Sequence, residues 1–208
     1  MATGNCSNRN DASVLACLRG FILAVTVMGM GCATAPGDEM KVPVVISGGH
    51  ETNPVDRGRP VVLIAAALGV KAEVFREAFR AVTPARGRGP TGDEARKNKQ
   101  ALMRVLAPHG VTNERLDEVS NYYRYQPQRG DVWKNTPASA YALVENGKIK
   151  SIVVTNAGSG YSSTPSATVK GFDAIPLKVN LHFDQDLTKN GSLTGIEVAA
   201  PKSVNKKS

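Results

Sequence analysis

Every arginine of the chain lies at or before Arg129, and every later cation is a lysine. The period of the apolar residues changes at the same place, from helical spacing to strand alternation. Such a chain folds as two chemically different parts. Residues 126–137, punctuated by Pro127, Gly130 and Pro137, read as the joint between them. The expected fold class is α+β: a small N-terminal helical bundle at 41–125, a linker at 126–137, an antiparallel β-hairpin or meander module at 138–200 and a basic tail at 201–208.

In the first part, Pro60 suits a first helical turn, residues 61–68 are an apolar run and Gly69 suits the stop. Val74, Phe75, Ala78, Phe79 and Val82 follow at the spacing of a half-buried helix. Thr91 to Glu94 has the pattern of a capping box opening a third helix, with Ala95, Leu102, Val105 and Leu106 as its apolar face. Thr112 or Asn113 caps a fourth, with Leu116, Val119 and Tyr123 on one side. Short connections between these helices predict a compact bundle.

In the second part, strand-like residues 141–145 and 149–155 flank Asn146-Gly147, the strongest short hairpin signal. The set Asn146, Gly147, Ile149, Ile152 and Val154 recurs 44 residues later as Asn190, Gly191, Leu193, Ile196 and Val198. The repeat predicts a second copy of the hairpin, fed by alternating residues 178–183. Residues 146–169, NGKIKSIVVTNAGSGYSSTPSATV, resemble the NGxI…V…GSGY…P…V hairpin module of bacterial and phage surface proteins, tail-fibre-like chains among them. The resemblance implies a structural or adhesive β module and brings no catalytic residues. Residues 41–133 are similar in character to uncharacterised exported bacterial proteins, a likeness that carries no activity with it.

The N-terminus reads as an address. Residues 21–31, FILAVTVMGMG, are uncharged, preceded by Arg19 and followed by small residues. Eleven residues are too few to span a bilayer, which takes roughly 20. The run fits the apolar core of a secretory signal. Ala33-Thr34-Ala35 offers a small-x-small cleavage pattern, which makes 1–35 a signal peptide. Gly31-Cys32 alternatively resembles the end of a bacterial lipobox, with Cys32 as the lipidated residue, although Gly29 stands where that motif has Leu. Cys6, Cys17 and Cys32 are the only cysteines, so a chain cleaved after Ala35 has none for a disulfide or a thiolate metal cage. It retains 24 Lys and Arg against 17 Asp and Glu, a formal net charge of +7. That excess draws a protein toward anionic polymers or surfaces without specifying a fold.

Hydrophobic content of 41% and charged content of 21% exclude a disordered acidic tail, a collagen-like fibre and a polytopic membrane protein. Familiar catalytic and metal signatures fail on spacing. His50-Glu51 starts like a zincin, yet Pro54 stands where the second histidine belongs. His109 and His182 fall in different expected parts. Asp184-Gln185-Asp186 starts like a calcium loop, but Lys189 and Gly195 occupy its required Gly and Glu positions. Gly158-Ser159-Gly160 has Ser163 at the third glycine position of a dinucleotide loop and Pro165 where the helix should begin. No catalytic residue, metal site or cofactor is assigned.

Two constellations remain. Residues 64–76 have the shape of a helix-turn-helix, with Gly69 at the corner and Lys71, Arg76 and Arg80 placed to face phosphates. The plainer reading is a structural αα corner. Tyr122, Tyr123, Tyr125 and Trp133 gather most of the large aromatics with polar tips into one stretch, with Arg124 among them. Exposed, they form a stacking site for a glycan or partner; buried, they seal the helical part against the β part. The seal is the favoured reading, and the ligand site its rival.

The expectation is an exported, cell-envelope-associated protein acting as a non-enzymatic binding or structural module. Its partners would be an envelope polymer, glycan or protein, with the membrane engaged only through a lipid on Cys32. The alternatives are a nucleic-acid-binding helix-turn-helix protein with an uncleaved N-terminus and an envelope enzyme of unrecognised type.

Overall fold

Strand formation begins where the sequence predicts a helical bundle. The computed structural model describes residues 39–83, 89–124 and 132–199, all within the unit Pro36–Ser208. Its first element is strand β1, Met40–Ser47. MKVPVVIS is rich in β-branched residues at alternate positions, and Val42, Val44 and Ile46 turn inward while Lys41, Pro43 and Val45 face out. Pro43 sits where β1 has a partner strand on one side only, so no bond to a second neighbour is lost.

The helices follow. A 3-10 turn, Pro54–Asp56, leads to α1 (Val61–Ala67), α2 (Ala72–Arg80), α3 (Gly92–Leu106), a second 3-10 turn and α4 (Asn113–Tyr122). Strands β2 (Ser139–Glu145), β3 (Lys148–Asn156), β4 (Ser166–Val169), β5 (Leu177–His182) and β6 (Ser192–Val198) complete the order. All pairing is antiparallel: a four-stranded sheet of order β3-β2-β1-β4 and a two-stranded sheet β5-β6. The expected N-terminal helical bundle is therefore corrected. The helices occupy the middle of the chain, inserted between β1 and β2, two strands that lie side by side through Val44↔Ala140.

The helix boundaries follow from local chemistry. Thr91 accepts from Glu94 N while the Glu94 carboxylate accepts from Thr91 N, a complete capping box. Thr112 accepts from Arg115 N and opens α4. Two cores result. One lies among the helices, around Leu63, Phe75, Ala78, Leu106 and Val119, and takes in Trp133 and Leu187 from farther along the chain. The other lies on the inner face of the larger sheet, where Val44, Ala142 and Val169 meet Val179, Leu193 and Ile196 of the smaller one.

The two halves of the sequence repeat have different fates. Asn146 and Gly147 both have positive φ, 52° and 72°, and turn β2 into β3 with Glu145↔Lys148 as the closing pair. The second copy is no tight hairpin: β5 and β6 are joined by residues 183–191, and Asn190 is fully buried. Strands β3 and β4 of the module-like stretch 146–169 stand at opposite edges of the larger sheet.

Candidate functional site

Of the residues proposed as an aromatic ligand site, Tyr125 lies outside the described residues, as does Cys32 proposed for lipidation. The others flank the joint between helices and sheets. Tyr123 and Trp133 are buried, Tyr122 is half-buried and Arg124 is exposed, donating to Asn121 Oδ1 at 2.8 Å. Tyr122 and Tyr123 meet edge to face with ring centroids 5.0 Å apart. Burial pushes both phenols above their ordinary pKa, most strongly at Tyr123. The polar tips of the two buried rings are committed internally: Trp133 Nε1 donates to Gly160 O at 2.8 Å, and Tyr123 Oη accepts from Asn190 Nδ2 at 2.9 Å. In this arrangement the cluster seals.

What it seals against is the GSGYSS stretch, 158–163, which the sequence offers only as a turn. Ser159 and Thr136 exchange backbone bonds, Gly160 N and Tyr161 N donate to Asn190 O and Gly191 O, and Ser162 N and Ser163 N both donate to Gly49 O. Tyr161 Oη accepts from Ala138 N at 2.9 Å. Four stretches of chain thus meet at one point. Gly160 is obligatory there, since its φ is 84° and a Cβ would come within 2.9 Å of Lys134 O. His50 lies against this hub, its ring 5.2 Å from Tyr161 and 6.0 Å from Trp133, with Nε2 shielded and unbonded. Glu51 is held below the ordinary carboxylate range, chiefly by its hydrogen bond from Ser163 Oγ.

The helix-turn-helix stretch forms an αα corner. Gly69 turns it at φ 70°, and the corner is covered: Arg115 donates to Ala67 O at 2.9 and 3.2 Å and to Gln185 O, while a Cβ on Gly69 would strike the Gln185 side chain. Arg80 pairs with Glu77 at 2.6 Å. Arg76 donates to Asp56 from Nε at 2.8 Å and Nη2 at 2.9 Å. The calcium-like residues close local turns, with Asp184 accepting from Asp186 N and Asp186 from Thr188 N. Among the described residues no group of three metal-ligating side chains gathers.

A site absent from the sequence reading lies between the first 3-10 turn and α2. Asn53 caps the turn by accepting from Val55 N at 3.1 Å, and Arg57 follows in the left-handed region at φ 51°, ψ 46°. Gly58, also left-handed at φ 83°, then lets Arg59 and Pro60 lead into α1. The result is a cleft of about 520 Å³ lined by Val55, Arg57, Arg59, Arg76, Phe79 and Arg80. Its one acidic lining residue, Asp56, is buried and spent on Arg76, whose charged form that bond favours. The Arg59 guanidinium lies 4.1 Å from the Phe79 ring centre and donates from Nη1 to Asp56 O at 3.1 Å. Burial lowers its pKa and the Arg57 charge lowers it further, while Asp56 opposes both. Neither Arg57 nor Arg59 makes a side-chain ion pair among the described residues. RGRP before an apolar helix is the sequence trace of this cleft; its conformation and its Phe79 backing come only with the tertiary fold.

Comparison with protein-family models, curated proteins and solved structures found no match. Among the described residues no helix is long and apolar enough to cross a membrane.

Proposed function

We propose that this chain is an exported cell-envelope protein working as a non-enzymatic binding module for an anionic partner, an envelope polymer or glycan. The observation that carries the reading is the cleft of arginines in which the one lining carboxylate among the described residues, Asp56, is already engaged. Export rests on the apolar run 21–31 and the small residues around Cys32 and Ala35. The +7 charge of residues 36–208 and the likeness of 146–169 to surface-protein modules agree with it.

Intact-mass measurement of the protein isolated from its native cells tests the reading. It predicts loss of residues 1–35, or loss of 1–31 with a diacylglycerol added at Cys32. An uncleaved chain in the cytosol contradicts it. Salt-sensitive binding to DNA by such a chain would instead favour the helix-turn-helix alternative, because phosphate contacts release counterions.

A further inference from the structure

We infer that the cleft between residues 53–59 and α2 is a discrete binding site for an acidic group, carboxylate or phosphate, attached to an apolar body. Arg57 and Arg59 supply the cations, and Val55 and Phe79 the apolar wall. The inference deepens the binding-module reading and rests on it for the idea that the cleft is used.

Three observations converge on this ligand. The first is charge. A guanidinium taken partly out of water costs free energy unless anions compensate it, and at Arg59 burial and the neighbouring Arg57 charge outweigh the one opposing charge, Asp56. The hydrogen bond Asp56 gives Arg59 is to its backbone carbonyl, while both carboxylate oxygens bind Arg76. The second is orientation. The Arg59 guanidinium lies over the Phe79 ring with Nη1 bonded to Asp56 O, and its remaining N–H donors suit an oxyanion. The Asp56–Arg76 pair fixes the floor beneath it. The third is shape. About 520 Å³ falls in the range of small-ligand sites, and Val55 stands 70% exposed on the wall. An inorganic ion alone would leave that apolar surface in water.

The test is a titration of the full chain with phenyl phosphate, benzoate and inorganic phosphate, followed by calorimetry and by the Arg side-chain Nε–H resonances in NMR. Saturable one-to-one binding of phenyl phosphate or benzoate is expected, tighter than inorganic phosphate by about tenfold, as burial of an apolar ring implies. The Arg57 and Arg59 resonances should move most. Arg57→Gly removes the charge while suiting the left-handed backbone, and Arg59→Lys keeps the charge while losing the fork. Each should weaken binding by about tenfold or more, the loss of a charge-assisted hydrogen bond. Lys150→Ala, which removes a cation of the β2–β3 hairpin outside the cleft, should change it by less than about twofold. Non-saturating binding, equal loss in all three variants or equal affinity for inorganic phosphate overturns the inference. A cleaved native chain without this binding leaves export standing and removes the cleft. Saturable binding by an uncleaved cytosolic chain keeps the cleft and removes export.

Discussion

Asn190 is fully buried, and its side chain ties its own connection to the helices: Nδ2 donates to Leu63 O at 2.8 Å and to Tyr123 Oη, while Oδ1 accepts from Asp184 N at 3.2 Å within the connection. Asn190→Ala strips partners from buried groups in the helical part and in the β5–β6 connection at once. The expected loss is on the order of 3 kcal/mol in urea unfolding. Asn146→Ala, at an exposed turn, should lose less than about 1 kcal/mol. The neighbouring glycines repeat the contrast. A Cβ on Gly147 meets nothing within 4 Å, so Gly147→Ala should cost about 1 kcal/mol, from its positive φ alone. A Cβ on Gly191 would lie 2.5 Å from Tyr161 O and 2.6 Å from Leu63 Cδ2. Gly191→Ala should therefore cost roughly 3 kcal/mol or more. Equal effects at the two glycines would contradict these surroundings. The dipeptide Asn-Gly announces positive φ in both places and nothing about what packs around it. Arg57 and Arg59 leave only the trace RGRP for the same reason, since Phe79 reaches Arg59 only through α2.

At the scale of elements, the signals that could be read were local ones. The α3 capping box is complete within four residues, and the pattern Thr91–Glu94 foretells it. Thr91→Ala should cost about 1 kcal/mol and shorten amide protection in the first turn of α3. The Glu94 carboxyl is held below its ordinary pKa, first by its bond from Thr91 N and then by the Thr91 hydroxyl. Its contribution is thus fully present above the unfolded carboxylate value and disappears as pH falls through the lower folded one. Glu94→Gln should destabilise at neutral pH, and the gap to the parent should close in strong acid; a gap independent of pH would show that the carboxylate does not hold the box. Strand β1 was hidden for the opposite reason. It alternates Val42, Val44 and Ile46, but its partners Ala140 and Val169 lie about a hundred residues away. A local period of two marks a strand without naming the strands it pairs with.

For the molecule as a whole, β1 decides the architecture. It lies between β2 and β4 and so joins the larger sheet together, while the helices leave the sheet after β1 and return at β2. The compositional break at Arg129 is real in the sequence, but it marks only the return; the departure between Ser47 and Pro54 has no comparable signature. Trp133 and Thr136, inside the expected linker, are tied to Gly160 and Ser159, so the joint is built into the sheets. The aromatic seal was legible because tyrosines and a tryptophan near a boundary have few other uses inside a protein. The measurement that bears most directly on this account is amide exchange on a polypeptide spanning residues 126–200, the linker and β module that the compositional break sets apart. Without β1, β4 has no neighbour in the larger sheet and the inner face of β2 loses Val44. The account predicts no cooperative unfolding and fast exchange at Ala142 and Val169, with slow exchange at both positions in the full chain. Native-like protection at those two residues in the isolated polypeptide would contradict it.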